Sequence, residues 1–427
     1  SVRWVDVNKA GEGGMEVRCR LVARDFKGRD TGRDDLFAAT PPLEAKRMLL
    51  SRAATITVGS CSRKLLFIDA KKAHLNPRCR EDVFIELPEE CGAGPGICGK
   101  LDYWLYGFRK AAVAWEDLYS SKLVESGFTR GVTCVVVFYH AERDISLVVH
   151  GDDFTFEGTG QHLLWVADLM RSWFEIKVRA LLGPDEGDDK HVVILGRHVR
   201  WTAEGIEYEA DPKHRKLIME HFGFDEESSG LVFNGEKDWK KEEEWEEVLL
   251  EKDEATVFRG VAARANFLSL DCPDLQFPVK QMSREMAKPM VGSWKRMKKI
   301  ARYLVNRKRV VWHFYWQDHT CKSHVCGDSD WGGRTGSRKS TSGGVWMIGG
   351  HCIKTWSVTQ GAYALSSAEA EFYAMIEAVL RAKGLRNLAV EVGFTDLENI
   401  VHIGTDSSAA KSFVGRQGLG KMKHLEI

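Results

Sequence analysis

The sequence predicts an α+β fold, and three patterns predict it. Apolar runs of strand length at 65–68 and 145–149, the second rich in β-branched residues, lead into aspartates, Asp69 and Asp152-Asp153 respectively. Helix-period segments with recognisable ends fall at 43–54, at 111–126 and after Ser366. Short strands punctuated by glycine pairs fill the chain beyond Ser323. Strands and helices mixed in this way make an α+β architecture.

The elements follow in order. Residues 2–5, a glycine-rich turn at 11–14 and residues 16–22 read as a hairpin with partial polar–apolar alternation. Pro41-Pro42 precedes a helix whose apolar side is Leu43, Leu50 and Ala54, filled out by Met48 and Leu49. A strand ends at Asp69, and the helix 111–126 is stopped by Gly127. Residues 132–139 and 145–149 are two β-branched runs joined by 140–144, a hairpin whose second strand delivers Asp152-Asp153. The charged stretch 225–255, with Glu242-Glu243-Glu244 and Glu246-Glu247, marks a connector or insertion, and 256–309 reads as mostly helical with a basic run from Lys295 to Arg309. Strands are expected at 323–327, 345–348 and 351–356, with turns at Gly332-Gly333 and Gly343-Gly344. Ser366 and Glu369 form a capping-box pattern that sets Glu371 near the start of a long helix, and a strand at 400–404 ends near Asp406.

Composition narrows the function classes. With 427 residues, 44% hydrophobic and 29% charged, the chain is long enough for two or three domains with real cores. No apolar run approaches the roughly 18 residues of a membrane span, and the N-terminus lacks the apolar core of a signal peptide, so an intracellular protein with no membrane partner is expected. Ten cysteines without a C-x-x-C pair support neither a zinc ribbon nor a disulfide framework. Lys+Arg and Asp+Glu each number 61, so any nucleic-acid contact rests on local basic clusters rather than on net charge. His191, His198, His214 and His324 show no spacing that suggests a metal site.

Two sets of carboxylates carry the chemistry. Asp69, Asp152 and Asp153 form the first; Asp328, Glu371 and Asp406 form the second. A lone aspartate after a strand is usually a turn or cap residue. Carboxylates at several strand ends, once folding gathers them, supply the oxygen ligands for two Mg²⁺ ions in phosphoryl transfer. Two such sets in this order suggest a nucleic-acid polymerase followed by a nuclease.

The motifs around these residues resemble those of the copia-type long-terminal-repeat retrotransposon polyprotein, in its reverse transcriptase and ribonuclease H regions. They are Arg20-Leu21-Val22-Ala23-Arg24, Ile68-Asp69-Ala70-Lys71, Leu105-Tyr106-Gly107 with Ala114-Trp115, and Asp152-Asp153. Asp328-Ser329-Asp330-Trp331-Gly332-Gly333, Arg338-Lys339-Ser340-Thr341-Ser342-Gly343 and Ala364-Leu365-Ser366-Ser367-Ala368-Glu369-Ala370-Glu371 follow in the family's order. The resemblance implies a right-hand polymerase, with fingers and palm over 1–200, a thumb and connection over 201–322, and a ribonuclease H-like α/β domain over 323–427. It implies that Asp69, Asp152 and Asp153 bind Mg²⁺, with Mn²⁺ as a substitute, for RNA-directed DNA synthesis. Asp328, Glu371 and Asp406 would hold the metals of the nuclease. Arg18, Arg20 and Arg24 would contact the triphosphate, Tyr106-Gly107 would lie under the new base pair, and His74 would stand against the sugar. The implied partners are an RNA template, a DNA primer, an RNA–DNA hybrid and dNTP, with dimerisation left open. The implied location is a cytoplasmic particle and then the nucleus.

The sequence also departs from the family pattern. His150-Gly151 precedes the paired aspartates where the family has Tyr-Val, His74 replaces an aromatic residue, and Lys110-Ala111-Ala112-Val113 replaces a Gln-Ala-Pro-Arg run. In the family, a fourth acidic residue and a final helix of the nuclease lie beyond the position of Ile427, so a C-terminally truncated nuclease is expected. Two other readings follow from these departures: a catalytically inactive remnant that still binds nucleic acid, and an RNA-dependent RNA polymerase suggested by Gly151-Asp152-Asp153.

Overall fold

The computed structural model describes all residues except 9–13, 15, 26–35, 37, 57–61, 95, 234–247, 334–337 and 416–427. The glycine turn at 11–13, the acidic run at 242–247 and residues 423–427 therefore lie outside the described residues. The chain divides into two units. The first comprises 1–53, 61–188 and 388–395; the second comprises 54–60, 189–387 and 396–427.

The first unit is built on a six-stranded antiparallel sheet in the order Ile176–Leu182, Arg63–Ala70, Asp153–Thr159, Ile145–His150, Val137–His140, Thr129–Arg130. Leu66, Ile68, Phe154, Phe156, Leu147 and Val149 point to one face. There they meet Trp115, Tyr119 and Leu123 of the helix Arg109–Glu125 and Leu163, Val166 and Met170 of the helix Gly160–Trp173. Side-chain alternation sends Leu65, Phe67 and Val148 to the other face, where the helix Leu43–Ala53 packs. Coverage on both faces explains why these runs are continuously apolar.

The Leu43–Ala53 helix departs from its expected one-sided pattern. Glu44 through Ala53 are all buried, charged side chains included. Arg52 is held by Glu157 (2.9 Å) and Asp144 (2.5 Å), and Arg63 binds the same two acids. Four charges at one place satisfy each other in a way no single helix pattern reveals.

A separate antiparallel pair, Val2–Asn8 with Val17–Ala23, forms the expected N-terminal hairpin. The strand expected from 132 begins only at Val137: Val132 is 91% exposed, and the amides of Val132, Thr133 and Cys134 converge on the Glu391 carboxylate instead of on a ladder.

The second unit contains two four-stranded sheets. One has the order His191–Ile194, Arg197–Trp201, Gly205–Ala210, Trp312–Tyr315. Its chain continues into the helices Lys213–His221, Lys252–Ser269, Pro273–Ser283 and Val291–Asn306, which share a core around Phe258, Met282 and Ile300. The expected helical character of 256–309 thus resolves into three helices broken near Pro273 and Pro289. The other sheet has the order His351–Thr359, Thr341–Ile348, Ser323–Asp330, His402–Gly404, the last pair being parallel.

Gly343-Gly344, expected as a turn, sits inside the Thr341–Ile348 strand. The reason is room: a Cβ on Gly344 would stand 2.1 Å from the Trp356 ring. His191 and His198, unremarkable by spacing, meet across the Ile194–Arg197 turn with ring nitrogens 2.9 Å apart. No helix among the described residues is long and apolar enough to cross a membrane.

Candidate active sites

In the first unit, strand register gathers the carboxylates. Asp153 pairs with both His150 and Asp69, so only Gly151 and Asp152 separate the two strands of the hairpin. Gly151 has φ +66°, which fits a two-residue turn with glycine at its first central position. The glycine that departs from the family pattern is thus a turn residue. Asp153 opens the second strand of the hairpin rather than trailing the first, and the Asp152 carbonyl accepts from the Ala70 amide at 2.8 Å. The Trp115 indole donates to the Gly151 carbonyl at 2.9 Å, which holds the turn against the core.

The third strand at this site supplies a residue the sequence did not announce. Ile176–Leu182 pairs with Arg63–Ala70 through a break in register between Val178 and Ala180, with Arg179 as the extra residue. The bulge turns its guanidinium to Asp69, with Asp153 3.3 Å away. Burial pushes the Asp153 carboxyl up, Arg179 opposes the rise, and Asp152 and Asp69 add to it. Burial works against the charged Arg179, yet Asp69 and Asp153 hold its pKa above the ordinary value. A cation therefore already fits between Asp69 and Asp153, and hard oxygen ligands of this kind suit Mg²⁺ or Mn²⁺.

The proposed nucleotide-contacting residues divide. The Ala23 amide donates to the Tyr106 carbonyl at 2.7 Å, and Gly107 at φ +88° leaves space for that approach. A Cβ on Gly107 would lie 2.2 Å from the Ala23 carbonyl oxygen. Arg20 lies 5.5 Å from the Tyr106 ring centroid and His74 5.2 Å from it. Burial raises the Tyr106 hydroxyl, Arg20 and Arg18 oppose, and Asp152 and Asp69 reinforce, so these groups act on one another. Burial lowers the His74 imidazole against the pull of Asp152, and its Nδ1 is buried with no hydrogen-bond partner among the described residues. The strand ends at Ala23, so the alternation that sets Arg18 and Arg20 on one face stops before Arg24, which is exposed.

In the second unit, a parallel pairing builds the other set. Cys326 is in register with Gly404, and two residues beyond each come Asp328 and Asp406. Glu371 enters from the first turns of the helix Ser367–Glu391, which approaches the strand closely at Gly327, where a Cβ would meet the Ala374 carbonyl at 3.0 Å. Ligand atoms of the three acids lie within 4.8 Å of one another, the one such set of three among the described residues. Ser329 donates to Glu371 Oε1 from its hydroxyl (2.8 Å) and its amide (3.2 Å), while Oε2 is buried without a hydrogen-bond partner among the described residues. Burial raises the Glu371 carboxyl, and Asp328 and Asp406 raise it further against the Ser329 hydrogen bonds. Three converging carboxylates with one orphaned oxygen fit a divalent cation.

Comparison with known proteins points to one family. Residues 1–182 match the family model "Reverse transcriptase (RNA-dependent DNA polymerase)". The retrovirus-related Pol polyprotein from transposon RE2 of Arabidopsis thaliana is 23% identical over 410 residues, 92% of this chain and 26% of that protein. The corresponding polyprotein from transposon TNT 1-94 of Nicotiana tabacum is 25% identical over 408 residues, 92% of this chain and 29% of that protein. The chain thus spans between a quarter and a third of the length of these relatives. An apo telomerase structure from Candida tropicalis aligns at 12% identity over 47% of this chain and 52% of that one, with a TM-score of 0.26, too low to bear on the fold.

Proposed function

We propose that this chain, which is similar to the retrovirus-related Pol polyproteins of copia-type transposons and matches a reverse transcriptase family model over residues 1–182, extends a DNA primer on an RNA template from dNTP and that its C-terminal part cleaves the RNA of the hybrid. The observation that supports the polymerase most directly is the hairpin register that sets Asp152 and Asp153 beside Asp69, with Tyr106, His74 and Arg20 grouped nearby. In this reading, fingers and palm occupy 1–200, thumb and connection 201–322 and the ribonuclease H-like domain 323–427.

Asp69, Asp152 and Asp153 would hold Mg²⁺ or Mn²⁺. Bound there, the ions supply the positive charge that offsets the triphosphate and acidifies the primer hydroxyl. The protein's own part is positioning. Arg18 and Arg20 offer guanidinium groups to phosphate oxygens, with Arg24 further along the same segment. Tyr106 and Gly107 form a floor under the incoming base pair, tied to Ala23. His74, half-buried and held towards its neutral form, presents an imidazole to the sugar and so sets the choice between deoxyribose and ribose. Asp328, Glu371 and Asp406 would hold the metal of the nuclease, with Ser329 fixing the Glu371 carboxylate.

The test is primer extension on an RNA template with Mg²⁺, comparing dNTP with rNTP and wild type with Asp152→Asn. Extension with dNTP that the substitution abolishes supports the proposal. A folded protein that binds the template and extends nothing, or one that prefers rNTP, defeats it.

A further inference from the structure

Beside the second set of carboxylates lies a group of exposed aromatic and cationic side chains that the carboxylates themselves do not explain. Trp331 is 53% exposed, Tyr363 58% and Leu365 71%. Single exposed apolar residues are ordinary. These three, however, sit on two segments fastened to each other: Lys339 Nζ donates to the Gly361 carbonyl (2.8 Å), the Gln360 amide to Ser340 (2.9 Å) and the Gly332 amide to Ser340 Oγ (3.0 Å). The Trp331 indole donates to the Ala364 carbonyl at 3.1 Å, which ties the half-exposed ring to the second segment. The Lys339 ammonium lies 5.2 Å from the centroid of the Tyr363 ring, and the Arg338 guanidinium lies against Gly332.

The same two segments build the carboxylate site. Trp331 follows Asp328 by three residues, and Ser329 between them holds Glu371. The Leu365 amide donates to Glu369 at the start of the helix that carries Glu371.

We propose that Trp331, Tyr363, Arg338 and Lys339 form a rim that holds the minor-groove side of an RNA–DNA hybrid against Asp328, Glu371 and Asp406. The inference rests on the nuclease reading and names the groups that would grip its substrate. Three clustered carboxylates repel a polyanion, so a site that acts on a phosphodiester needs cations close by, and this rim supplies two. Flat, exposed rings match the sugar and base edges that the wide, shallow minor groove of an A-like duplex presents, and the cations match the flanking phosphates.

The experiment uses the full chain and a hybrid whose RNA strand carries 5-iodouridine. Irradiated in EDTA, which prevents metal-dependent cleavage, the hybrid crosslinks to neighbouring aromatic residues, and mass spectrometry locates the peptides. Crosslinks to the peptides containing Trp331 or Tyr363 are expected, as is their loss in Trp331→Ala and Tyr363→Ala. With Mg²⁺ present, Trp331→Ala and Lys339→Ala are expected to raise KM for hybrid cleavage roughly tenfold while kcat holds, with Trp331→Phe close to wild type. Primer extension by the same variants stays at the wild-type rate, which reports a folded protein. Crosslinks confined to other peptides, or cleavage that depends on Asp328 with KM unmoved by the rim variants, overturn the rim alone. Rim crosslinks in a protein that cleaves nothing overturn the nuclease reading and leave the rim standing. Single-stranded RNA that crosslinks at the rim as efficiently as the hybrid overturns the assignment to a duplex.

Discussion

Replacing Asp328 by asparagine is expected to make the metal-free protein more stable. The ligand atoms of Asp328, Glu371 and Asp406 lie within 4.8 Å of one another. Two unit charges at that separation repel by about 1 kcal/mol in bulk water and about 3.5 kcal/mol at an effective dielectric of 20. Asp328 and Asp406 are exposed and Glu371 is half-buried, so the lower figure applies more nearly. Asparagine at 328 removes two of the three repulsions, about 2 kcal/mol in all, which for a unit of this size raises Tm by about 4–8 °C.

The sign of the pH dependence follows from Glu371, whose carboxyl is raised first by burial and then by Asp328 and Asp406. A raised folded pKa means stability that is fully present below the ordinary value of 4.5 and is lost as pH rises through the folded value. The gain from Asp328→Asn is therefore largest at neutral pH and fades towards pH 4. Differential scanning calorimetry of both proteins in EDTA and in Mg²⁺ reads all of this. Mg²⁺ raises the wild-type transition at neutral pH, and the variant forfeits that rise. An Asp328→Asn protein that melts below wild type in EDTA, or a wild type indifferent to Mg²⁺ and Mn²⁺, would refute the picture of three charges awaiting a cation.

Four further outcomes are expected. Arg179→Gln removes a positive charge from between Asp69 and Asp153, so Mn²⁺ titrated by electron paramagnetic resonance binds about tenfold more tightly; unchanged affinity would show that Arg179 is a bystander. Glu157→Ala leaves Arg52 and Arg63 facing a buried void and costs about 3–5 kcal/mol in urea unfolding, whereas a cost under about 1 kcal/mol would mean Asp144 suffices as their partner. Burial pushes the Asp144 carboxyl up, but Arg52 and Arg63 outweigh it and hold the value at about 2. Its contribution is thus present above the ordinary 3.8 and disappears as pH falls towards 2, a slope that Asp144→Asn should flatten in acid-unfolding curves. Gly107→Ala drives a Cβ into the Ala23 carbonyl and imposes a left-handed backbone on alanine, so extension should fall by about tenfold or more with the circular dichroism spectrum retained.

The sequence reveals the parts of this fold that depend on local pattern. The apolar run before Asp69, the helix that starts near Leu43 and the capping residues Ser366 and Glu369 each announce their element, because period, caps and turn residues act over a few positions. What escapes depends on partners distant in sequence. The Asp153–Thr159 strand alternates Phe154 and Phe156 with Thr155 and Glu157 as a half-exposed strand would, yet it is buried on both faces, and Glu157 is accommodated there by Arg52 and Arg63. Gly343-Gly344 has the composition of a turn and becomes a strand because Trp356 crosses it. Arg179 reaches Asp69 through a bulge that no local motif specifies. For the sites the boundary is the same: the acids are legible one by one as strand-end residues, but the groups that neutralise or orient them, Arg179 and Ser329, are not.

That distinction separates the two carboxylate sets physically. In the first, the burial that raises Asp153 is opposed by an internal cation, since Arg179 spans Asp69 and Asp153. An incoming metal must displace or share that guanidinium, so its affinity is held down until a triphosphate adds phosphate ligands for the metal and an alternative partner for the arginine. In the second, Glu371 has only Ser329 as a neutral hydrogen-bond partner for one oxygen, and the other oxygen has none among the described residues. Among the described residues no cation is paired with these three carboxylates, and binding a metal relieves their repulsion. The second set should therefore load with metal in the absence of nucleic acid, whereas the first should load only when nucleotide is supplied. Mn²⁺ titrations of Asp328→Asn and Asp69→Asn proteins, each with and without dNTP, separate the two sites. Tight binding at the Asp69 site without dNTP would show that Arg179 does not hold the metal off.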